Sequence, residues 1–127
     1  MITLADVEKA HERVKDHVHH TPLRHSTTFS KITGAEVYFK MENLQRTGSF
    51  KIRGALNKIL TLTPEERKRG VVAASAGNHA QGVALAAQLN NTKATIVMPA
   101  SASIQKAEAT RGYGADVILH GKDYSEA

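Results

Sequence analysis

Val71-Val72-Ala73-Ala74-Ser75-Ala76-Gly77-Asn78-His79 opens the stretch that decides the fold, which continues through a helical pattern to Leu89 and on to Ala94-Thr95-Ile96-Val97-Met98. Two continuous apolar runs joined by a helix suit neighbouring strands of a parallel sheet covered by helices on both faces. A further helix from Ser103 to about Gly112 and a strand from Asp116 to Leu119 repeat the rhythm. The spacing implies βαβ crossovers and an α/β fold, an open twisted parallel sheet flanked by helices. Ligands of such sheets bind beyond the carboxyl ends of strands, which after the first strand is Ser75 to His79.

Toward the N-terminus, Leu4, Val7, Val14 and Val18 recur at helical spacing, predicting an amphipathic helix from Thr3 or Asp6 to about Val18 with Thr3 as its cap. Pro22 ends that segment, a short helix or turn covers Ser26 to Lys31, and Glu36 to Met41 has the composition of a strand. A loop over Asn43 to Gly48 precedes a helix from Ser49 whose apolar positions are Ile52, Ala55, Leu56, Ile59 and Leu60. Thr63-Pro64-Glu65-Glu66 opens a second short helix, with proline at its first position, and Gly70 closes it. At the other end, Gly121 to Ala127 reads as the start of a helix capped by Asp123 or Ser125. A three-stranded sheet with that helix barely begun leaves an apolar face and an edge uncovered, so the chain is expected to be a fragment and its sheet incomplete.

The 127 residues are 41% hydrophobic and 23% charged, within the range of an ordinary folded domain. A net charge of +5 raises anionic partners, but the basic residues are scattered, and three Phe and three Tyr offer no interleaved stacking platform. Nucleic acid is not an expected partner, and Arg67-Lys68-Arg69 reads as a solvated helix end. The chain has no cysteine, which excludes disulfides and thiolate metal sites and suits a cytoplasmic location. No signal peptide or long apolar run is seen, so no membrane association is expected. His17, His19 and His20 lie at a helix end without neighbouring carboxylates, and no metal site is expected.

Two segments carry the chemistry. Lys51 follows Thr47-Gly48-Ser49-Phe50 at a helix start, where the dipole and partial burial both disfavour a positive charge; neutral amines attack aldehydes. By itself this is also how a surface lysine looks. Ser75 to His79 join a strand to a helix, where Gly77 permits close backbone approach and free N–H groups can face a carboxylate or phosphate. An ordinary turn with Asn78 as helix cap is the plainer alternative.

Together the segments resemble the pyridoxal-phosphate enzymes of the tryptophan-synthase-β type, and within them the threonine and serine dehydratases. Lys40-Met41-Glu42-Asn43-Leu44-Gln45-Arg46-Thr47-Gly48-Ser49-Phe50-Lys51-Ile52-Arg53-Gly54-Ala55 is similar to the cofactor-lysine signature, and Ser75-Ala76-Gly77-Asn78-His79-Ala80-Gln81-Gly82 to the substrate loop. Ala76 and Ala80-Gln81 look more like threonine dehydratases than like serine racemases.

The resemblance implies a fold-type II architecture, with residues 1–45 belonging to a large cofactor domain and 46–127 to a truncated small α/β domain. It implies that Lys51 holds pyridoxal 5'-phosphate through its amine and takes the Cα proton. Phe50 would lie against the cofactor ring, and Asn78 would donate to the ring's 3-hydroxyl oxygen. The substrate carboxylate would be held by Ser75, Ala76, Gly77, Asn78 and His79, with the Ser75 hydroxyl on the ring face opposite Lys51. L-Threonine would give 2-oxobutanoate and L-serine pyruvate, each with ammonia, in a homo-oligomeric enzyme. The family's phosphate-cradling loop would lie beyond residue 127, since Arg111-Gly112-Tyr113-Gly114 is too short to be it. The chain alone is therefore expected to be inactive; a folded, catalytically silent binding or assembly module is the alternative. A dinucleotide-binding reading fails, because no Gly-x-Gly-x-x-Gly follows the Val71 strand.

Overall fold

A computed structural model describes residues 1–123 and 125–127. Its largest sheet is parallel, in the order β3 (Val71–Ala74), β4 (Ala94–Met98) and β5 (Asp116–Leu119), linked by α5 (Asn78–Leu89) and α6 (Ile104–Gly112). Before it come α1 (Leu4–Val14), β1 (Leu23–His25), α2 (Thr27–Thr33), β2 (Tyr38–Lys40), a 3-10 turn at Glu42–Leu44, α3 (Lys51–Leu60) and α4 (Pro64–Arg69). The start of α1 is set by a reciprocal cap in which the Thr3 hydroxyl accepts from the Asp6 N–H and the Asp6 carboxylate accepts from the Thr3 N–H. Thr63 and Glu66 do the same for α4, which ends in Arg67, Lys68 and Arg69. Both caps agree with the expected starts, whereas α1 ends at Val14 and not near Val18.

β1 was not expected from the sequence. It pairs antiparallel with β2, Leu23 opposite Lys40 and His25 opposite Tyr38, and all of its residues are exposed, so it has no alternation to betray it. β2 is shorter than the run Glu36 to Met41 that suggested it. The expected terminal helix includes Tyr124, which lies outside the described residues. On either side of it, the Asp123 carboxylate accepts from the N–H groups of Ser125 (2.8 Å) and Glu126 (3.2 Å), as a helix cap would.

The core is organised around α5. Ala80 and every residue from Gly82 to Ala87 are buried, as a helix that is small and apolar all round must be. It packs against β3, β4, α3 and α6, and with Ile52, Leu56, Ile96 and Met98 it encloses the hydrophobic centre. Each of these large side chains contributes roughly 1.5–3 kcal/mol by leaving water. In β4, Ala94, Ile96 and Met98 point into this core, whereas on the opposite face Val72 is 75% exposed and Ile118 is also exposed. Helices thus cover one face of the sheet and not both. The bare face is the condition expected of an incomplete sheet.

At one point the backbones of α3 and α5 nearly touch. A Cβ placed on Gly82 would lie 3.0 Å from the Lys51 carbonyl carbon and 3.1 Å from the Ile52 nitrogen. Glycine is what allows the crossing. A second constraint comes from a polar hub that holds the chain ahead of α3. Glu42 accepts from Arg53 Nε (2.8 Å) and Nη2 (2.7 Å) and from the Thr21 hydroxyl. Gln45 bonds both the N–H of His19 (2.8 Å) and its carbonyl (2.9 Å). Thr21 is 2% and Gln45 4% exposed, so these bonds are shielded from water. Gly48, at φ +67°, then turns the chain toward Lys51 in the left-handed region that glycine enters without cost.

Two predictions follow from these constraints. Gly82→Ala should destabilise by roughly 1–3 kcal/mol through overpacking. Gly54→Ala, which meets nothing within 4 Å on the same pair of helices, should gain up to about 1 kcal/mol of helix propensity. Urea midpoints of the two variants should therefore move in opposite directions. The hydrogen-bonded pair with Arg53 holds the Glu42 carboxyl down at about 2 against an ordinary 4.5. A depressed carboxyl stabilises the fold above its unfolded value, so about 3 kcal/mol should be lost as the pH falls from 4.5 through 2. Glu42→Gln should remove most of that acid dependence, measured as stability against pH.

Candidate active site

Lys51 is the first residue of α3, as its place after Thr47-Gly48-Ser49 suggested. Its N–H reaches the Ser49 hydroxyl at 3.5 Å, and Thr47 and Ser49 are buried beneath it. The Lys51 side chain is exposed, so the expected partial burial is not found in this chain. Its Nζ lies 5.0 Å from the centre of the Phe50 ring, which is itself 59% exposed and free to present a flat face.

Ser75 continues the sheet by donating its N–H to the Val97 carbonyl (3.0 Å), then turns the chain by accepting the Gly77 N–H on its hydroxyl (3.3 Å). That hydroxyl is half-buried and still holds its own proton. Gly77, and not Asn78, caps α5, and no side chain fills the cap; the plainer reading of an Asn78-capped turn is corrected. Among the described residues, the N–H groups of Asn78, His79 and Ala80 have no hydrogen-bond partner. They form the positive end of a twelve-residue helix. The Asn78 and His79 side chains are exposed, while Ala76 is buried and anchors the turn.

The helix crossing brings these segments together. Asn78 stands four residues before Gly82, one turn or about 6 Å along α5 from where that helix meets the Lys51 backbone. The start of α3, which carries Lys51, is thereby set near the first turns of α5, which follow Ser75 at the carboxyl end of β3. A separate cavity of about 330 Å³ opens between α3 and β3, bounded by Ala55, Ile59, Val71, Val83 and His79. Of the candidate site residues His79 lines it, whereas Lys51, Ser75 and Asn78 do not. No group of three or more His, Asp or Glu able to hold a metal occurs among the described residues. Arg111 to Gly114 ends α6 and turns into β5, with Gly114 at φ +81°. Among the described residues no helix is long and apolar enough to cross a membrane.

Sequence reasoning gave Glu42 and Arg53 no role, since they belong to different elements, the 3-10 turn and α3, whose relative placement no local pattern encodes. Gly82 likewise stood in the substrate-loop signature without a reason; the helix crossing supplies one.

A model of the family described as pyridoxal-phosphate dependent enzyme matches residues 14–127. The L-threonine ammonia-lyase of Thermotoga maritima is 61% identical over 127 residues, which are 100% of this chain and 32% of that protein. The chain thus spans about a third of the length of this curated relative. Among solved structures, serine racemase from Dictyostelium discoideum matches with a TM-score of 0.90 at 43% identity, over 94% of this chain and 40% of that one. The processed form of threonine deaminase isoform 2 from Solanum lycopersicum matches at 0.85 and 41%, over 98% and 36%. With the family match running from Val14 to the last residue, this chain belongs to the pyridoxal-phosphate dependent enzymes.

Proposed function

We propose that the protein to which this chain belongs eliminates water from L-threonine, and from L-serine, and that the resulting enamine is hydrolysed, taking up one water and releasing ammonia, to give 2-oxobutanoate and pyruvate. The observation that carries the reading is the α3–α5 crossing at Gly82, which brings the Lys51 backbone to a point about one helix turn along α5 from its free opening N–H groups. Identity supports threonine as a substrate: the relative at 61% is named L-threonine ammonia-lyase, while the serine racemase shares the fold at 43%.

The donor set suits pyridoxal 5'-phosphate. Lys51 offers an exposed primary amine for an aldehyde, Phe50 an exposed aromatic face, and Asn78 an exposed amide able to donate to a ring oxygen. When bound, the cofactor supplies a ring that withdraws electrons from the substrate Cα. The Lys51 amine then acts as the base that removes the Cα proton. The substrate carboxylate sits against the backbone from Ala76 to His79, where the Asn78 and His79 N–H groups are free to donate, with the Ser75 hydroxyl also donating to it, and the α5 dipole favours its charge. That grip fixes which Cα bond faces Lys51.

In the same reading, residues 1–45 associate with a large cofactor domain and 46–127 form most of a small one. The enzyme is cytoplasmic and homo-oligomeric, with no nucleic-acid or membrane partner. This chain by itself is inactive, because the phosphate cradle is supplied by other residues.

In the complete enzyme, Lys51→Ala should lower 2-oxobutanoate release from threonine by roughly 10³-fold or more. An unchanged rate would refute the assignment of the base. Ser75→Ala removes one hydrogen bond to a charged group and should lower kcat/KM by roughly 10–100-fold. Steady-state kinetics with threonine measures both.

A further inference from the structure

The proposed reaction leaves unused a strongly basic cleft on the other side of α3. Six polar side chains, His11, Lys15, His19, His20, Lys40 and Arg53, surround a cavity of about 250 Å³ together with Val18. They come from α1 and the turn after it, the irregular segment before β1, β2 and α3, so the cleft exists only in the folded chain. No carboxylate lines it.

Three carboxylates lie near. Glu12 pairs with Lys15 at 2.6 Å and Asp16 also acts on that amine, but the pair is exposed and three residues apart on one helix turn. Such pairs contribute little net energy, so a stronger anion can recruit Lys15. Glu42 occupies Nε and Nη2 of Arg53, and among the described residues Nη1 has no partner. Lys40 donates one N–H to the Thr21 carbonyl at 2.6 Å and keeps two. His19 Nδ1 lies 3.1 Å from the Leu44 carbonyl, which places the ring proton there and leaves Nε2 free. His11 and His20 have no side-chain partner among the described residues.

We propose that this cleft binds a tetrahedral oxyanion of the phosphate class, either inorganic phosphate or the phosphoryl end of a small phosphomonoester. The donors surround the cavity from four separate segments, which suits a tetrahedral dianion better than a planar carboxylate gripped by one fork. Three cations, Lys15, Lys40 and Arg53, supply its positive charge, and the histidine rings add N–H donors. The cleft is separate from the proposed cofactor lysine, because Arg53 lies about 200° around α3 from Lys51. It does not depend on the catalytic reading.

The test is a titration of the chain with inorganic phosphate, and in parallel with glycerol phosphate, following histidine ring resonances by NMR at constant ionic strength. Saturable shifts of His11, His19 and His20 are expected. Lys15→Gln and His20→Gln, each checked for an unchanged backbone amide spectrum, should weaken binding about tenfold each. Tighter binding of glycerol phosphate marks an organic phosphate as the ligand; the reverse order marks free phosphate. Shifts that do not saturate, that chloride reproduces, or that persist unchanged in both variants would overturn the proposal.

Discussion

The close approach of α3 and α5 at Gly82 is the contact on which the rest of this molecule depends. A Cβ there would stand 3.0 Å from the Lys51 backbone, so the two helices share a crossing point that only glycine leaves open. The apolar side chains Ile52 and Leu56 from α3 and Ala80 and Ala84 from α5 are each at most 1% exposed. Packing and chemistry thus meet at one place. The contact that closes the core also sets the first residue of one helix beside the first turn of the other.

The two helix starts are prepared in different ways. Lys51 follows a glycine turn whose approach is fixed by Thr21, Glu42, Gln45 and Arg53, a hub largely closed to water. Ser75 to Asn78 follow a strand in register with its neighbour, and the turn is drawn in by a single hydroxyl. Rigid elements therefore carry a lysine and a set of unpaired N–H groups while leaving both exposed. The sheet face carrying Val72 and Ile118 is uncovered, and the chain spans about a third of the length of its Thermotoga maritima relative.

Much of this was legible in the sequence. The apolar runs at Val71 and Ala94, the small residues of α5, the Thr63-Pro64 start and the two signature segments each carry a local signal that survives folding. What was not legible is non-local. β1 owes its existence to β2 and has no pattern of its own. The helix from Leu4 stops at Val14 although Val18, half-buried, keeps the periodicity going past the last helical turn. Glu42 and Arg53 find one another only because the 3-10 turn folds back on α3, and no spacing rule foretells that. The same holds for the basic cleft, whose histidines looked like an exposed helix end until β2 and α3 were placed beside them.

The central claim, that Lys51 is the lysine that carries the cofactor, is tested most directly by reducing the complete enzyme with borohydride in the presence of pyridoxal phosphate and mapping the modified peptide by mass spectrometry. The account predicts a single stable adduct on Lys51, absent from Lys51→Ala. An adduct on another lysine, or label spread evenly over the exposed lysines, would contradict it.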